Sequence, residues 1–171
     1  AKLAEYAQRA APRQIAVRHG TRLPLLGDEV EVRVESGANR IAWSGAALIL
    51  AARPDADLDL LARRALQRRA LPHFVGRAEH FATRLARAVP AIALSSARTR
   101  WGSCGPGGIR LNWRLIHLQP HLVDYVVAHE LAHLAEMNHS PRFWTEVERI
   151  YPDWRAARAE LKQRGREIPL I

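Results

Sequence analysis

Residues 129–139, with the sequence HELAHLAEMNH, place three histidines in a pattern that strongly restricts the local fold. His129 and His133 are four residues apart, so both imidazoles project from the same face of one α-helix. His139 follows six residues later, and at about 100° per residue a continuous helix would point its ring away from the other two. The chain must therefore leave the helix between His133 and His139 and turn back.

The residues around His139 are typical of such a helix end. Asn138 tolerates the left-handed conformation in which many helices end, so we expect the helix to stop there. Ser140 and Pro141 are favoured at the N-cap and in the first turn of a new helix, which we expect to start at about Phe143. The sequence thus predicts that His139 lies at a corner between two helices, where its ring can face the first pair.

Three neutral histidines around one point are typical of a catalytic zinc site, because structural zinc is normally closed by four protein ligands. We therefore expect His129, His133 and His139 to bind one Zn²⁺ per chain. Zinc lowers the pKa of its bound water to about 7 and polarises a substrate carbonyl. Glu130 lies next to the first histidine, where it can take the proton of that water as general base and pass it to the leaving amine.

Other side chains are weaker candidates for this site. Glu146 and Glu148 are rivals of His139 as third ligand, although both follow His133 more closely than we expect for a downstream glutamate ligand. Cys104 lies in a glycine-rich segment without an assigned partner, which disfavours it as a nucleophile or as a removable fourth ligand. Two side chains could assist the metal in stabilising the oxyanion, and neither is favoured by a motif: Arg100 and Tyr151.

Residues 1–54 are predicted to form a β-rich N-terminal subdomain. Residues 29–34 (EVEVRV) alternate apolar and polar side chains with the period of a half-buried strand. Four other short extended runs are separated by turns: residues 14–18, 21–26, 41–43 and 47–50. We expect a small antiparallel sheet or an array of hairpins.

Residues 55–171 are predicted to form the second domain, which opens with a helical stretch from about residue 57 to residue 88. Pro72 should divide this helix or bend it, and Pro90 should close it. Residues 92–101 and 109–115 are predicted strands of a hairpin that turns through GSCGPGG.

The histidines belong to a later helix that starts at Pro120. Its apolar side chains share a face with His129 and His133, so the helix should be largely buried. A last helical region is predicted over 141–164, with Pro152 starting its second part.

Charge and composition limit the partners and the compartment. The net charge is +9, from 24 Arg and 2 Lys against 17 acidic residues, so nucleic acid or an acidic partner is possible. The densest basic cluster is more typical of a solvated helix face than of a nucleic-acid motif: Arg63, Arg64, Arg68 and Arg69. No apolar run approaches the ~20 residues of a membrane span, and no signal peptide is visible. A single cysteine fits a reducing compartment, so we expect a cytoplasmic protein without a membrane partner.

Three strings of this chain carry a family resemblance: RTRWGSC (98–104), IRLNWRL (109–115) and DYVVAHELAHLAEMNHSPRFW (124–144). Together they resemble the YgjP-like metallopeptidase family, which is related to the SprT-like and WLM zinc peptidases. The resemblance is strong over roughly residues 57–165.

This resemblance implies that His129, His133 and His139 bind zinc and that Glu130 is the catalytic base. It also implies an α+β fold with a zincin-like metallopeptidase core, in which the active-site helix lies beside a small antiparallel sheet. The His139 spacing equals that of metzincins, but Glu136 stands where metzincins carry glycine, which speaks against that group.

We therefore predict a zinc-dependent metallopeptidase that acts on a protein or peptide substrate. One alternative is a zinc hydrolase of a non-peptide amide or ester, since the same water activation serves other carbonyl groups. Another is a nucleic-acid-associated protein in which zinc is mainly structural. No motif identifies the substrate-binding residues, although the hairpin around Arg100 and Trp101 could bind a peptide by strand addition.

Overall fold

A computed structural model describes residues 13–171 as two small β-sheets, four α-helices and one short 3-10 helix. The first twelve residues of the predicted N-terminal subdomain lie outside this description. The α+β class predicted from the sequence is confirmed. Within residues 13–171, no helix is long and apolar enough to cross a membrane. The elements are β1 (Arg22–Leu25), β2 (Asp28–Ser36), β3 (Arg40–Ser44), β4 (Ala47–Ala52), α1 (Leu58–Leu85), β5 (Ile92–Ser95), β6 (Gly102–Gly105), β7 (Gly108–Asn112), the 3-10 helix η1 (Trp113–His117), α2 (Pro120–Ala132), α3 (Pro141–Ile150) and α4 (Trp154–Arg164).

The N-terminal sheet has the strand order β1-β2-β4-β3. Two antiparallel hairpins turn at Gly27 and Gly45, whose positive φ angles suit glycine. The central pair β2 and β4 is parallel, so the prediction of an antiparallel sheet is wrong at its centre. The physical reason is burial of the apolar strand β4 (ALILAA). When β3 takes the edge of the sheet, β4 lies between β2 and β3 and is covered along both of its edges. The predicted strand at 14–18 is also wrong, since only a single bridge joins Gln14 to Leu170.

Helix α1 is continuous over 28 residues and contains Pro72. Of the two outcomes predicted for this proline, division into two helices is therefore wrong. The buried stripe continues across the proline through Leu66, Ala70 and Phe74, so packing outweighs the lost hydrogen bond. The helix ends at Leu85, before Pro90, because Ala86 takes the left-handed conformation.

The second sheet has the order β5-β7-β6 and is mixed, because β7 pairs parallel with β5 and antiparallel with β6. Residues 102–105, expected to belong to a turn, are strand β6 itself, and the turn is reduced to residues 106–107. The predicted strand over 92–101 ends at Ser95. The chain after Ser95 leaves the sheet because its carbonyls bind to Asn112 instead. The side-chain amide of Asn112 donates hydrogen bonds to the carbonyls of Ala97 (2.8 Å) and Arg100 (3.2 Å).

Asn112 also ends the predicted strand over 109–115. Its side-chain oxygen accepts a hydrogen bond from the backbone of Arg114 (3.1 Å) and so caps the 3-10 helix η1. One buried side chain therefore shapes both the segment before β6 and the segment after β7.

Helix α2 is buried over most of its length, as predicted, and lies among α1, α3, α4 and strand β6. Arg77 on α1 makes a bidentate ion pair with Asp124, with N–O distances of 2.6 and 2.9 Å. The hydroxyl of Tyr151 donates to the carbonyl of His121 (3.0 Å). Both contacts fix the position of α2 through polar groups that lie outside its apolar face. The predicted break at Pro152 separates α3 from α4.

His117, the last residue of η1, joins this region to the N-terminal sheet. Its side chain is 5% exposed, and its Nδ1–H donates to the carbonyl of Pro24 (2.8 Å). Burial lowers the pKa of His117 to about 4, although the bond to Pro24 acts in the opposite direction. The ring is therefore neutral in the folded protein at neutral pH.

The first prediction concerns the pH dependence of stability. Because the folded pKa lies below the usual ~6.5, protonation favours the unfolded chain, and stability is lost as pH falls from about 6.5 towards 4. This loss is about 2 kcal/mol at pH 5. The free energy of unfolding is measured with urea at pH 7.5 and at pH 5.0, with a chelator present. The difference between the two values should be smaller in His117→Asn than in the wild type by that amount. The exposed-site control His80→Asn should behave like the wild type; equal pH effects in both variants would contradict the role of His117.

Candidate metal centre

The chain reverses direction directly after helix α2. The helix ends at Ala132, and His133 caps it in the right-handed conformation. The predicted stop at Asn138 is wrong, because the helix ends six residues earlier and Asn138 has no positive φ. Backbone bonds over three residues, such as Leu134 N–H to the Leu131 carbonyl (2.9 Å), tighten the last turn without a left-handed residue.

Helix α3 then starts at Pro141, the first residue of the predicted helical region 141–164 and two residues before the start expected at about Phe143. The Ser140 hydroxyl accepts a hydrogen bond from the backbone of Phe143 (3.4 Å), as expected of an N-cap. His139 therefore lies at the corner between two helices, where the sequence places it.

The corner brings the three histidines together. One ring nitrogen from each of His129, His133 and His139 lies within 4.8 Å of the others. The Nε2 atoms of His129 and His139 are 3.1 Å apart. Tetrahedral ligands with bonds of about 2.0–2.1 Å stand roughly 3.3 Å from one another. The donor set therefore fits a single divalent metal ion with only small adjustments of the rings.

The three imidazoles are neutral at physiological pH, which is the state that binds metals. Burial lowers the pKa of His129, 2% exposed, to about 2, and the neighbouring His133 and His139 act in the same direction. The pKa of His139 is lowered to about 4, again mainly by burial. Burial also lowers the pKa of His133.

His133 has a second interaction that prepares it as a ligand. Its Nδ1 lies 3.1 Å from the backbone carbonyl of Glu136, and only a protonated Nδ1 can donate to that oxygen. This bond selects the tautomer with a free lone pair on Nε2 and orients the ring.

Phe143 and Trp144 pack against the histidines. The Phe143 ring stacks on His133, with centroids 4.5 Å apart, and contacts the rings of His129 and His139 at 4.8 Å. Trp144 lies 5.7 Å from the ring of His129 and 6.1 Å from that of His139. The first turn of α3 thus supplies an aromatic wall to the centre.

Glu130 is 2% exposed and lies one residue after the first histidine. Burial raises the pKa of its carboxyl to about 8, and the positive charge of Arg100 opposes that shift. A buried carboxyl with a perturbed pKa beside a possible metal site is a feature of proton-transferring residues.

Gly102 lies directly against the carboxyl of Glu130, a contact that the sequence did not indicate. A Cβ atom built on it would lie 2.7 Å from both Cγ and Oε1 of Glu130, so strand β6 can pass the carboxyl only with a glycine there. Its neighbours in the sequence, GSCGPGG, had predicted a turn. A glycine within a strand often marks such a close approach, but this signal is useful only once β6 is known to be a strand.

The two glutamates considered as alternative third ligands form ion pairs with arginines. Glu146 pairs with Arg149 (3.0 Å) and Glu148 with Arg155 (3.0 Å). Over residues 13–171, the group of side chains placed to hold a metal contains neither glutamate. Tyr151 directs its hydroxyl to the His121 carbonyl.

Comparisons with family models and with solved structures each gave a match. A family model described as YgjP-like, metallopeptidase domain, matches residues 1–164. Among solved structures, the crystal structure of the metallopeptidase zymogen of Pyrococcus abyssi abylysin is similar over 56% of this chain and 98% of that chain, at 23% identity and a TM-score of 0.48. No curated protein matches the chain.

The second prediction tests the third ligand by metal analysis of purified variants. We expect about one metal ion per chain in the wild type and a strong loss in His139→Ala, because two imidazoles hold the ion much less tightly than three. Glu146→Ala is the matched control and should keep its metal. Retention in His139→Ala together with loss in Glu146→Ala would transfer the ligand role to the glutamate.

Proposed function

Because the chain belongs to the YgjP-like metallopeptidase family, we propose that it is a zinc-dependent metallopeptidase that hydrolyses peptide bonds. The observation that carries this proposal is the convergence of three neutral imidazoles beside the buried carboxyl of Glu130. In this proposal His129, His133 and His139 hold one zinc ion.

The donor set supports zinc as the metal. Imidazole nitrogens suit zinc, whereas magnesium and calcium prefer oxygen ligands. Three protein ligands also leave one coordination position for water or substrate, which is the pattern of catalytic zinc sites. A zinc ion bound there supplies Lewis acidity, which lowers the pKa of a coordinated water towards 7 and polarises a carbonyl oxygen.

Glu130 performs the proton transfers in this proposal. Its carboxyl is buried and has a raised pKa, so its carboxylate form takes up a proton more readily than that of an exposed glutamate. It takes a proton from the attacking water and donates it to the nitrogen of the leaving amine. Arg100 keeps part of the carboxylate form available by opposing the effect of burial.

Strand β6 supports a peptide as the substrate. It is the outer strand of the order β5-β7-β6, and it passes directly beside Glu130 at Gly102. An extended peptide that pairs with the outer edge of β6 would be held by backbone hydrogen bonds next to the general base. We propose this edge as the substrate-binding strand.

The third prediction separates the general base from the ligands. Glu130→Gln removes the proton acceptor but none of the three imidazoles, so the variant should keep its metal and lose at least 100-fold in casein hydrolysis. Metal content and product formation are measured on the same preparations. If Glu130→Gln loses its metal together with its activity, Glu130 is a ligand and the proposed mechanism is wrong.

The fourth prediction concerns the close contact at β6. The added methyl group in Gly102→Ala must displace the Glu130 carboxyl, and a displacement near 1 Å can reduce turnover about 100-fold. Gly105→Ala, on the same strand, places its methyl where nothing lies within 4 Å and is the matched control. We expect both variants to keep their full metal content and only Gly102→Ala to have a reduced kcat. Equal activities in the two variants would show that the contact does not position the base.

A further inference from the structure

Arg158 on α4 lies on the aromatic wall of the metal centre. Its Cζ atom is 5.0 Å from the centre of the Trp144 ring. That ring lies 5.7 Å from the ring of His129 and 6.1 Å from that of His139.

Arg158 differs in its ion pairing from the preceding arginine on the same helix. Arg155 stands over Trp154 at 4.4 Å and is neutralised by Glu148, 3.0 Å away. In the described part of the chain, no carboxylate lies within ion-pair distance of Arg158. Arg158 as a whole residue is half-buried, so it is available to pair with an anion without first leaving a carboxylate of the described chain.

The wall that carries Arg158 is well supported. Trp144 stacks on Trp154 with centroids 4.2 Å apart and an angle of 22° between the rings. Trp154 is buried and belongs to the first turn of α4, one turn before Arg158. Stacking against Trp144 thus restricts the guanidinium before any ligand arrives, which lowers the entropy lost on binding.

We propose that Arg158 binds a carboxylate group of the substrate, so that the site prefers peptides with a carboxylate close to the scissile bond. This inference rests on the proposed function, because it places the carboxylate relative to the three histidines. The planar guanidinium matches a carboxylate with two parallel hydrogen bonds. The net charge of +9 favours the approach of acidic ligands in general. The group recognised is the C-terminal carboxylate of a peptide or the side chain of an aspartate or glutamate.

The first experiment measures binding and does not need turnover. The probes are the monohydroxamates of succinic, glutaric and adipic acid, whose hydroxamate binds zinc and whose free carboxylate stands at three different distances. Each is compared with the analogue in which a neutral primary amide replaces the carboxylate. Affinities are measured by calorimetry on zinc-loaded wild type, Arg158→Gln and the matched control Arg155→Gln.

We expect at least one acid to bind the wild type about tenfold more tightly than its amide, as a charge-assisted bidentate contact provides. Arg158→Gln should abolish this difference, and Arg155→Gln should retain it. The inference is overturned if acid and amide bind the wild type equally, if Arg158→Gln keeps the preference, or if both arginine variants lose it alike. If no hydroxamate binds the wild type at all, the proposed zinc site itself fails, and the inference fails with it.

A second experiment identifies the source of the carboxylate. A casein segment that spans a bond cleaved by the wild type is synthesised in three forms: unchanged, amidated at its C-terminus, and with its acidic side chains replaced by Gln or Asn. A fall in kcat/KM on amidation, present in the wild type and absent in Arg158→Gln, assigns the chain terminus. The same pattern for the side-chain replacement assigns Asp or Glu. Equal kcat/KM for all three peptides in the wild type contradicts the inference.

Discussion

The packing of Phe143 against three imidazoles is the interaction on which the centre depends. A single ring stacks on His133 and contacts both His129 and His139, so it joins the end of α2 to the start of α3. This contact helps to hold His139 opposite the other two histidines across the short turn between those helices. Because Phe143 is fully buried, the hydrophobic effect that stabilises the core also stabilises the corner.

Burial of α2 has a chemical consequence as well as a mechanical one. The helix carries His129 and Glu130 into an apolar environment, where the charged form of each group is disfavoured. The histidine is therefore kept neutral, and the carboxyl holds its proton more strongly than an exposed glutamate does. In the proposed enzyme, the same packing that folds the chain prepares His129 to bind a cation and Glu130 to transfer a proton.

Two sides of the site are formed by different parts of the chain. Strand β6 approaches Glu130 through Gly102, and the wall of α3 and α4 approaches His139 through Trp144 and Arg158. In the proposed enzyme, the first side binds the peptide backbone and the second recognises a carboxylate. A rigid helix between them fixes the distance over which a substrate must extend.

The sequence by itself determined the features that depend on neighbouring residues. The spacing of the histidines, the starts of α2 and α3 at Pro120 and Pro141, and the Ser140 cap all follow from interactions within one or two helical turns. The family resemblance and the α+β class were likewise visible in the chain. Local patterns suffice for such features because each is decided by side chains a few residues apart.

Only the tertiary structure decided the features that join distant residues. The parallel pairing of β2 with β4, the continuity of α1 through Pro72 and the strand character of 102–105 depend on what packs against each segment. The same is true of the contact between Gly102 and Glu130, and of the place of Arg158 on the wall of the centre. The physical reason is that burial and backbone pairing depend on partners remote in sequence, and no local pattern identifies those partners.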